Sequence, residues 1–107
     1  MTFDEYQEKA MRTATPASAS LAYGALGLNG EAGEVAEKIK KWIRDSGSDI
    51  SKLNKDEMAK ELGDVLWYVA RIGDLLDLKM NDIASANISK LSDRKSRGVI
   101  SGSGDNR

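Results

Sequence analysis

Two acidic pairs constrain the fold of this chain more than any other feature of its sequence. Each pair has i,i+3 spacing and lies inside a long segment whose apolar residues recur at helical intervals. The pairs are Glu31 with Glu34, and Glu61 with Asp64. In a helix, residues with this spacing lie on one face, about one turn apart. We therefore predict two helices whose carboxylates can face one another when the helices pack together.

The facing carboxylates predict a metal site. Four such groups between two helices would repel one another strongly unless a positive charge lay among them. The chain contains no His and no Cys, which removes the usual ligands of zinc. Hard divalent cations prefer oxygen ligands alone. The pattern thus predicts that the four acidic residues hold Mg²⁺ or Mn²⁺.

The length and composition predict one small globular domain. With 107 residues the chain can build one core, and an oligomer would bury more of its surface. An apolar content of 40% with only 6% aromatic residues is typical of a helical globular protein rather than a disordered one. We expect a helical domain over residues 1–98. Residues 99–107 have the composition of a disordered tail, unless a role as a subunit interface or a lid fixes them.

Charge and targeting signals exclude several classes of partner. A net charge of −1 gives no general attraction to nucleic acids or to acidic membranes. Without cysteine, no disulfide framework is indicated. The segment MTFDEYQEKA is charged and lacks an apolar core, so we expect neither a signal peptide nor a membrane span there. A cytoplasmic location is the resulting expectation.

Helix signals dominate the chain, and no segment of useful length has the period of a strand. Thr2 and Glu5 form a capping box that opens a short helix, and this helix should end before Pro16. The expected fold class is all-α, a compact and oligomeric bundle of three to four helices.

The second half of the chain predicts two more helices. The most regular apolar periodicity runs from Lys55 to about Asp77, behind the N-cap residue Asn54. A last helix, capped by Asn81, is expected over about residues 82–94. Its predicted inward positions are Ile83, Ile88 and Leu91.

Four glycines make the segment over residues 20–45 unusual. They recur at every third residue, and each costs roughly 1 kcal/mol relative to Ala inside a helix. They are Gly24, Gly27, Gly30 and Gly33. In one interpretation, the part up to Gly30 is a loop and the helix begins near Asn29. In the other, which we favour because apolar positions continue across the segment, the small residues let another helix or a ligand approach closely.

Several other residues fit a site for phosphorylated substrates. Mg²⁺ neutralises phosphate charge and activates water, and the rest of a polyphosphate needs cations and hydrogen-bond donors. Tyr68 follows Asp64 by four residues and so shares its face, where an aromatic ring could hold a base. Trp42 and Trp67 are further aromatic candidates. The candidate phosphate ligands are Lys38, Lys41, Asn87, Lys90 and Arg94.

Each candidate has an ordinary structural alternative. One acidic pair alone is usually solvated surface, but Glu61 and Asp64 lie in the most apolar part of the chain, where an unpaired charge is costly. Trp42 and Trp67 more often serve packing than binding. The lysines after Glu34 could pair with acids at i,i+4, and the polar stripe in the last helix could be a solvated face.

The combined arrangement resembles a known family. Two E-x-x-E/D pairs, followed by Asn87-x-x-Lys90 in a later helix, are similar to the MazG-like all-α nucleoside triphosphate pyrophosphohydrolases. The resemblance covers nearly the whole chain, including LGLNGEAGEVAEKIKKWI and ISKLSDRKSRG. It implies hydrolysis of the bond between the α and β phosphates of a nucleoside triphosphate, to a monophosphate and pyrophosphate, for nucleotide-pool control or house-cleaning. It also implies a homodimer or homotetramer.

The resemblance assigns roles to individual residues. The four acidic residues would be the catalytic Mg²⁺ ligands, and Tyr68 would lie near the nucleoside. Phosphate or sugar contacts would come from Asn87 and Lys90, with Arg94 and Lys41. Many members carry an additional Glu where this chain has Gly30, which leaves open the number of metal ions and the general base.

Three alternatives remain at this stage. A dUTPase-like enzyme or a phosphoribosyl-ATP pyrophosphohydrolase would share the metal site but act on a different substrate. A helical interaction module would use the carboxylates to hold a structural cation or a basic partner without turnover. The module would need no cations and aromatic rings beside the acids, whereas an enzyme would need both.

Overall fold

The computed structural model describes residues 1–107 and consists of helices and connecting turns without a strand. This confirms the predicted all-α class. The four α-helices are α1 (Phe3–Met11), α2 (Leu21–Ser46), α3 (Lys55–Leu75) and α4 (Met80–Ser96), and two short 3₁₀ helices span Pro16–Ser18 and Ile50–Lys52. None of the helices combines the length and the apolar character that crossing a membrane requires.

The first helix begins at the predicted capping box. The Thr2 hydroxyl accepts a hydrogen bond from the Glu5 backbone N–H at 3.0 Å, and the Glu5 carboxylate accepts one from the Thr2 N–H at 3.1 Å. Two of the four N–H groups that a helix leaves without partners at its start are thereby satisfied.

A buried glutamine fastens α1 to the rest of the bundle. The Gln7 amide donates to the carbonyl oxygens of Ala70 at 3.1 Å and Leu78 at 3.0 Å, and its oxygen accepts from the Met80 N–H at 3.2 Å. One side chain thus joins α1 to α3 and to the start of α4. Sequence analysis did not single out Gln7, because its partners are backbone groups more than 60 residues away.

The glycine-rich segment is helical throughout. Helix α2 runs without a break from Leu21 to Ser46, so the interpretation with a loop up to Gly30 is wrong. The Ser20 hydroxyl caps its start by accepting from the Tyr23 N–H at 3.1 Å. Gly47 ends it in the left-handed conformation, with φ of 62°, which glycine adopts at little cost.

Close approach explains two of the four glycines. A Cβ atom built at Gly24 would lie 3.0 Å from the Ile72 side chain, and one at Gly27 would lie 2.1 Å from the Tyr68 ring. No atom lies within 4 Å of such a Cβ at Gly30 or Gly33. The first two glycines therefore let α3 pack directly against the α2 backbone, whereas the other two face open space in the single chain.

The boundaries of the last helix differ from the prediction. Helix α4 begins at Met80 and is preceded by Lys79, which makes no side-chain cap, so the prediction that Asn81 is the N-cap is wrong. Asn81 lies inside the helix, where its side-chain oxygen accepts from the Asp4 N–H at 3.2 Å and its own N–H donates to the Asp4 carboxylate at 2.9 Å. Asn81 therefore binds the start of α1 instead of capping α4.

The helices form an open arrangement with little buried core. Helix α2 packs against α3, and α1 packs against both α3 and α4. Only eight residues are buried, and the apolar ones among them are Ala10, Ala70 and Met80. The radius of gyration is 16.6 Å, whereas a compact domain of this length has about 13 Å. Large apolar side chains therefore remain exposed, including the predicted inward positions Ile83, Ile88 and Leu91.

Residues 99–107, which we call the tail, fold back on the end of α4. The Val99 N–H donates to the Arg94 carbonyl at 2.9 Å. The Arg107 guanidinium donates to the carbonyl oxygens of Val99 at 2.9 Å and Ile100 at 2.8 Å. The tail thus has a defined path, although its composition is typical of disorder. The division between a catalytic domain and a tail stays a prediction.

Candidate active site

Three carboxylates meet where α2 and α3 pack together. Glu31 comes from α2, and Glu61 and Asp64 come from α3, and one oxygen of each lies within 4.8 Å of the others. Glu31 and Glu61 are half-buried and Asp64 is exposed. We call these residues the acidic trio. The i,i+3 spacing places the two α3 residues on one face, and the contact between the helices brings that face to Glu31.

The fourth predicted ligand, Glu34, lies just outside the trio. It is exposed and follows Glu31 by one turn on α2. Its charge still acts on the trio. Burial raises the pKa of Glu31, and the charges of Asp64, Glu61 and Glu34 raise it further. The four carboxylates therefore share one negative field, which favours a cation among them.

Lys38 is the cation that the structure places beside the trio. Its ammonium group lies 3.7 Å from a Glu61 oxygen, and both side chains are largely shielded from solvent. A lysine one turn beyond Glu34 on α2 reaches the α3 carboxylate because the two helices are in contact. It neutralises part of the charge of the trio.

Lys41 has a different partner. Its ammonium group lies 3.3 Å from the Glu37 carboxylate, an i,i+4 pair on the exposed side of α2, which is the surface alternative considered for it from the sequence. Lys41 and Lys38 also line one open cavity of about 390 Å³, together with Lys52 and Trp42. This cavity lies where α2 ends and α3 begins.

The indole groups of both tryptophans donate hydrogen bonds that connect neighbouring segments of the chain. The Trp42 indole donates to the Asp49 carbonyl at 2.7 Å and so fastens the connection after α2. The Trp67 indole donates to the Thr13 hydroxyl at 2.8 Å and to the Ala10 carbonyl at 3.3 Å, which ties the end of α1 to α3. These contacts support the packing role for Trp67 and Trp42.

Tyr68 lies beside the trio, as its spacing from Asp64 predicts. Its ring rests on the backbone at Gly27 and contacts the Trp67 ring edge to face, with centroids 5.0 Å apart at 80°. Burial raises the pKa of Tyr68, and Tyr23, Glu31 and Asp64 raise it further. The hydroxyl therefore stays neutral at physiological pH and borders the negative field of the site.

Sequence analysis missed one aromatic neighbour of the site. Tyr6 projects from α1, and burial followed by the charge of Asp64 raises its pKa. No local pattern links Tyr6 to Asp64, because the two come together only when α1 packs on α3.

The predicted polar stripe of α4 is not joined to the trio within one chain. We call Asn87, Lys90 and Arg94 the α4 stripe. The Lys90 ammonium group and the Arg94 guanidinium both contact one oxygen of Asp105 in the tail, at 2.8 and 3.0 Å. Asn87 is exposed. Because α4 packs chiefly on α1, its stripe meets the tail rather than the α2 carboxylates.

Comparison with known proteins adds two findings. The sequence model of a protein family, described as "MazG nucleotide pyrophosphohydrolase domain", matches residues 21–99. The chain is also similar to the Gene 37 protein of Mycobacterium phage L5, with 51% identity over 87 residues, which is 81% of this chain and 76% of that protein. No solved structure matches the chain.

Proposed function

The chain belongs to the MazG nucleotide pyrophosphohydrolase family, and from this premise we propose that it hydrolyses the α–β phosphate bond of nucleoside or deoxynucleoside triphosphates. The products are a nucleoside monophosphate and pyrophosphate. The observation that carries the proposal is the acidic trio, whose oxygens lie within 4.8 Å of one another across α2 and α3. The reaction would serve nucleotide-pool control or house-cleaning.

The trio fits a magnesium ion by its chemistry. It offers only carboxylate oxygens, and oxygen is the donor that Mg²⁺ prefers. The raised pKa of Glu31 reflects repulsion and burial that a divalent cation would relieve. We propose Glu31, Glu61 and Asp64 as ligands, with Glu34 as the fourth. When bound, Mg²⁺ supplies neutralisation of phosphate charge and acidification of water.

The surrounding residues would bind and orient the substrate. Lys38 pairs with Glu61 at 3.7 Å, and in the complex its ammonium group can turn to a phosphate oxygen a short distance away. Tyr68 offers a flat ring held rigid by Gly27 and Trp67, which suits contact with the nucleoside. Lys41 and the α4 stripe would contact further phosphates or the sugar.

The exposed surface supports assembly into a homodimer or homotetramer. A single chain exposes 7472 Å², whereas a compact monomer of 11.6 kDa exposes about 5,800 Å². Leu26, Leu62 and Ile88 are 74%, 55% and 63% exposed. Burial of such side chains between copies would stabilise an oligomer, and sedimentation equilibrium measures its size directly.

A substrate panel with product analysis tests the function. The protein is incubated with Mg²⁺ and each ribonucleoside and deoxynucleoside triphosphate, with dUTP and phosphoribosyl-ATP included, and pyrophosphate and orthophosphate are measured separately. We expect pyrophosphate and a monophosphate in equal amounts. Release of orthophosphate with a diphosphate would contradict the proposed bond. No product from any nucleotide would instead favour the interaction module.

A further inference from the structure

The contacts of Asp105 suggest a role for the tail. One oxygen of its carboxylate accepts hydrogen bonds from the Lys90 ammonium group at 2.8 Å and from the Arg94 guanidinium at 3.0 Å. Arg94 also donates to the Asp105 backbone carbonyl. Only 6% of the Arg94 side chain is exposed, whereas that of Asp105 is 77% exposed. The Arg94 guanidinium is therefore buried, while the Asp105 carboxylate that it binds remains largely at the surface.

Polar contacts hold the tail in place. Arg107 donates to the carbonyl oxygens of Val99, Ile100 and Gly104, and Arg97 donates to the Arg107 carbonyl at 2.7 Å. These contacts close the tail into a loop and attach this loop to the end of α4. Exposed polar contacts of this kind contribute little to stability, so the tail can leave α4 without disturbing the packing of the helices.

We propose that the tail is a displaceable strap, in which the Asp105 carboxylate occupies Lys90 and Arg94 in the free protein and a substrate phosphate replaces it on binding. The inference rests on the proposed function and on the proposed oligomer. It takes these two cations as phosphate ligands of a site that the α4 of a second copy completes, since within one chain α4 packs chiefly on α1. Carboxylate and phosphate oxygens accept the same charge-assisted hydrogen bonds, but a polyphosphate carries more negative charge. Substrate binding is thereby coupled to release of the tail.

In this proposal, Asp105 and a substrate phosphate compete for the same two cations, Lys90 and Arg94. Asp105 is tethered 11 residues from Arg94, so its effective concentration at the cations is high, in the millimolar range that short flexible connections give. Each substrate molecule must displace it, which raises the apparent KM. Because Asp105 contacts neither the acidic trio nor Lys38, its removal leaves the groups at the reacting phosphate unchanged.

Hydrogen exchange tests displacement without turnover. Exchange of peptides from residues 99–107 is followed in the full chain with Mg²⁺, with and without inorganic tripolyphosphate at a concentration that calorimetry shows to be saturating. We expect at least threefold faster exchange in the tail with tripolyphosphate, and no such change in the Lys90→Gln protein. Binding without faster exchange of the tail, or no binding at all, would overturn the inference.

Steady-state kinetics test competition. In Asp105→Asn we expect KM to fall roughly three- to tenfold, in keeping with the loss of one or two modest ion pairs, with kcat unchanged. The matched control is Asp82→Asn, which removes an equal charge at an exposed residue in the first turn of α4, at the opposite end of the helix from the tail, and its KM should stay as in the unchanged protein.

The kinetic outcomes separate the inference from the proposed function. An unchanged KM in Asp105→Asn would overturn the strap, and so would a lower kcat, which would make Asp105 a residue that positions the cations. If the unchanged protein hydrolyses no triphosphate, the proposed function fails. The exchange experiment with tripolyphosphate then still decides whether an anion displaces the tail.

Discussion

At the scale of single residues, the acidic trio concentrates negative charge that the helices alone cannot neutralise. Lys38 offsets part of it from one side, and Tyr6 and Tyr68 border it from α1 and α3 with raised pKa values. The site therefore combines charged carboxylates with neutral aromatic side chains. This combination is expected of a place that binds a cation together with an anionic, ring-bearing substrate.

Replacing Asp64 tests the metal site by stability as well as by activity. In Asp64→Asn we expect kcat to fall by at least about 100-fold, because one ligand of the trio is lost. If the folded trio binds Mg²⁺ as proposed, the ion should raise the melting temperature of the unchanged protein, and in the variant this rise should be largely lost. Thermal melts with and without Mg²⁺ measure the effect.

A charge-matched control accompanies that variant. Asp56→Asn removes an exposed carboxylate in the first turn of the same helix, away from the trio. Its response to Mg²⁺ and its turnover should match those of the unchanged protein. Equal loss of the Mg²⁺ response in both variants would mean that the ion acts through general charge screening rather than at the trio.

A second residue-scale prediction concerns the glycines of α2. In Gly27→Ala the new methyl group would meet the Tyr68 ring at 2.1 Å, so the ring must move. The cost of overpacking, typically about 1–3 kcal/mol, offsets the gain of about 1 kcal/mol in helix propensity. We expect no net stabilisation against urea. If Tyr68 contacts the nucleoside as proposed, KM should rise as well, because the ring is displaced.

Gly33→Ala is the matched control in the same helix. No atom lies within 4 Å of its new methyl group, so only the propensity gain remains, and we expect stabilisation by up to about 1 kcal/mol. Urea unfolding at equal protein concentration compares the two variants. Equal stabilisation of both would show that Tyr68 does not rest on Gly27 in solution.

At the scale of elements, the bundle depends on side chains that reach across helices. Gln7 joins α1 to α3 and α4, and Trp67 joins the end of α1 to α3. Helix α4 is fastened at its first turn to α1 and at its last turn to the tail. Between these ends the apolar residues of α4 remain exposed, so its contact with the rest of the bundle is concentrated at its first turn.

The attachment of the tail to α4 should depend on pH. Hydrogen bonds from Lys90 and then from Arg94 lower the pKa of Asp105 below its ordinary value of 3.8. The docked tail favours the ionised carboxylate. The stabilisation is therefore complete above the ordinary pKa and is lost as the pH falls through the lowered one.

An NMR titration of the Asp105 carboxyl group measures this coupling. We expect a midpoint below 3.8 in the unchanged protein, and the amide signals of the tail should change over the same range. In Lys90→Gln the midpoint should move up toward the ordinary value, because the first contributor to the shift is removed. A midpoint that is the same in both proteins would contradict the contact between Asp105 and Lys90.

At the scale of the whole molecule, the single chain buries little of its apolar surface and is more extended than a compact domain of its length. Few residues are buried, and the apolar residues Ile83, Ile88 and Leu91 of α4 are exposed. Hydrophobic side chains spread along a helix, rather than clustered at one point, suit the contact of one helix with another. In the proposed oligomer, a second copy of the chain would supply such a surface and complete the core.

A charge placed among the exposed apolar residues of α4 should dissociate the proposed oligomer. In Ile88→Glu we expect dissociation to smaller species in sedimentation equilibrium and a lower melting temperature, because a buried carboxylate in an interface is costly. Ala86→Glu places the same charge on a different face of α4, where Ala86 is also exposed, and should leave the assembly intact. Equal effects of both substitutions would place the interface elsewhere on the molecule.

The sequence by itself determined the helical class, the capping box at Thr2, the helix behind Asn54 and the acidic pairs, because these depend on local periodicity and on hydrogen bonds within a few residues. It also indicated Tyr68, since i+4 spacing shares a face within one helix. Only the tertiary structure decided that α2 continues through its glycines, since the packing of Ile72 and Tyr68 against Gly24 and Gly27 comes from α3.

The tertiary structure also decided the partners of the remaining residues. Asn81 binds Asp4 instead of capping α4, Gln7 bridges three elements, and Lys90 and Arg94 bind Asp105. The physical reason is common to all of them. A side chain takes the best partner that the packed chain brings within reach, and that partner can be many residues away, where no local pattern records it.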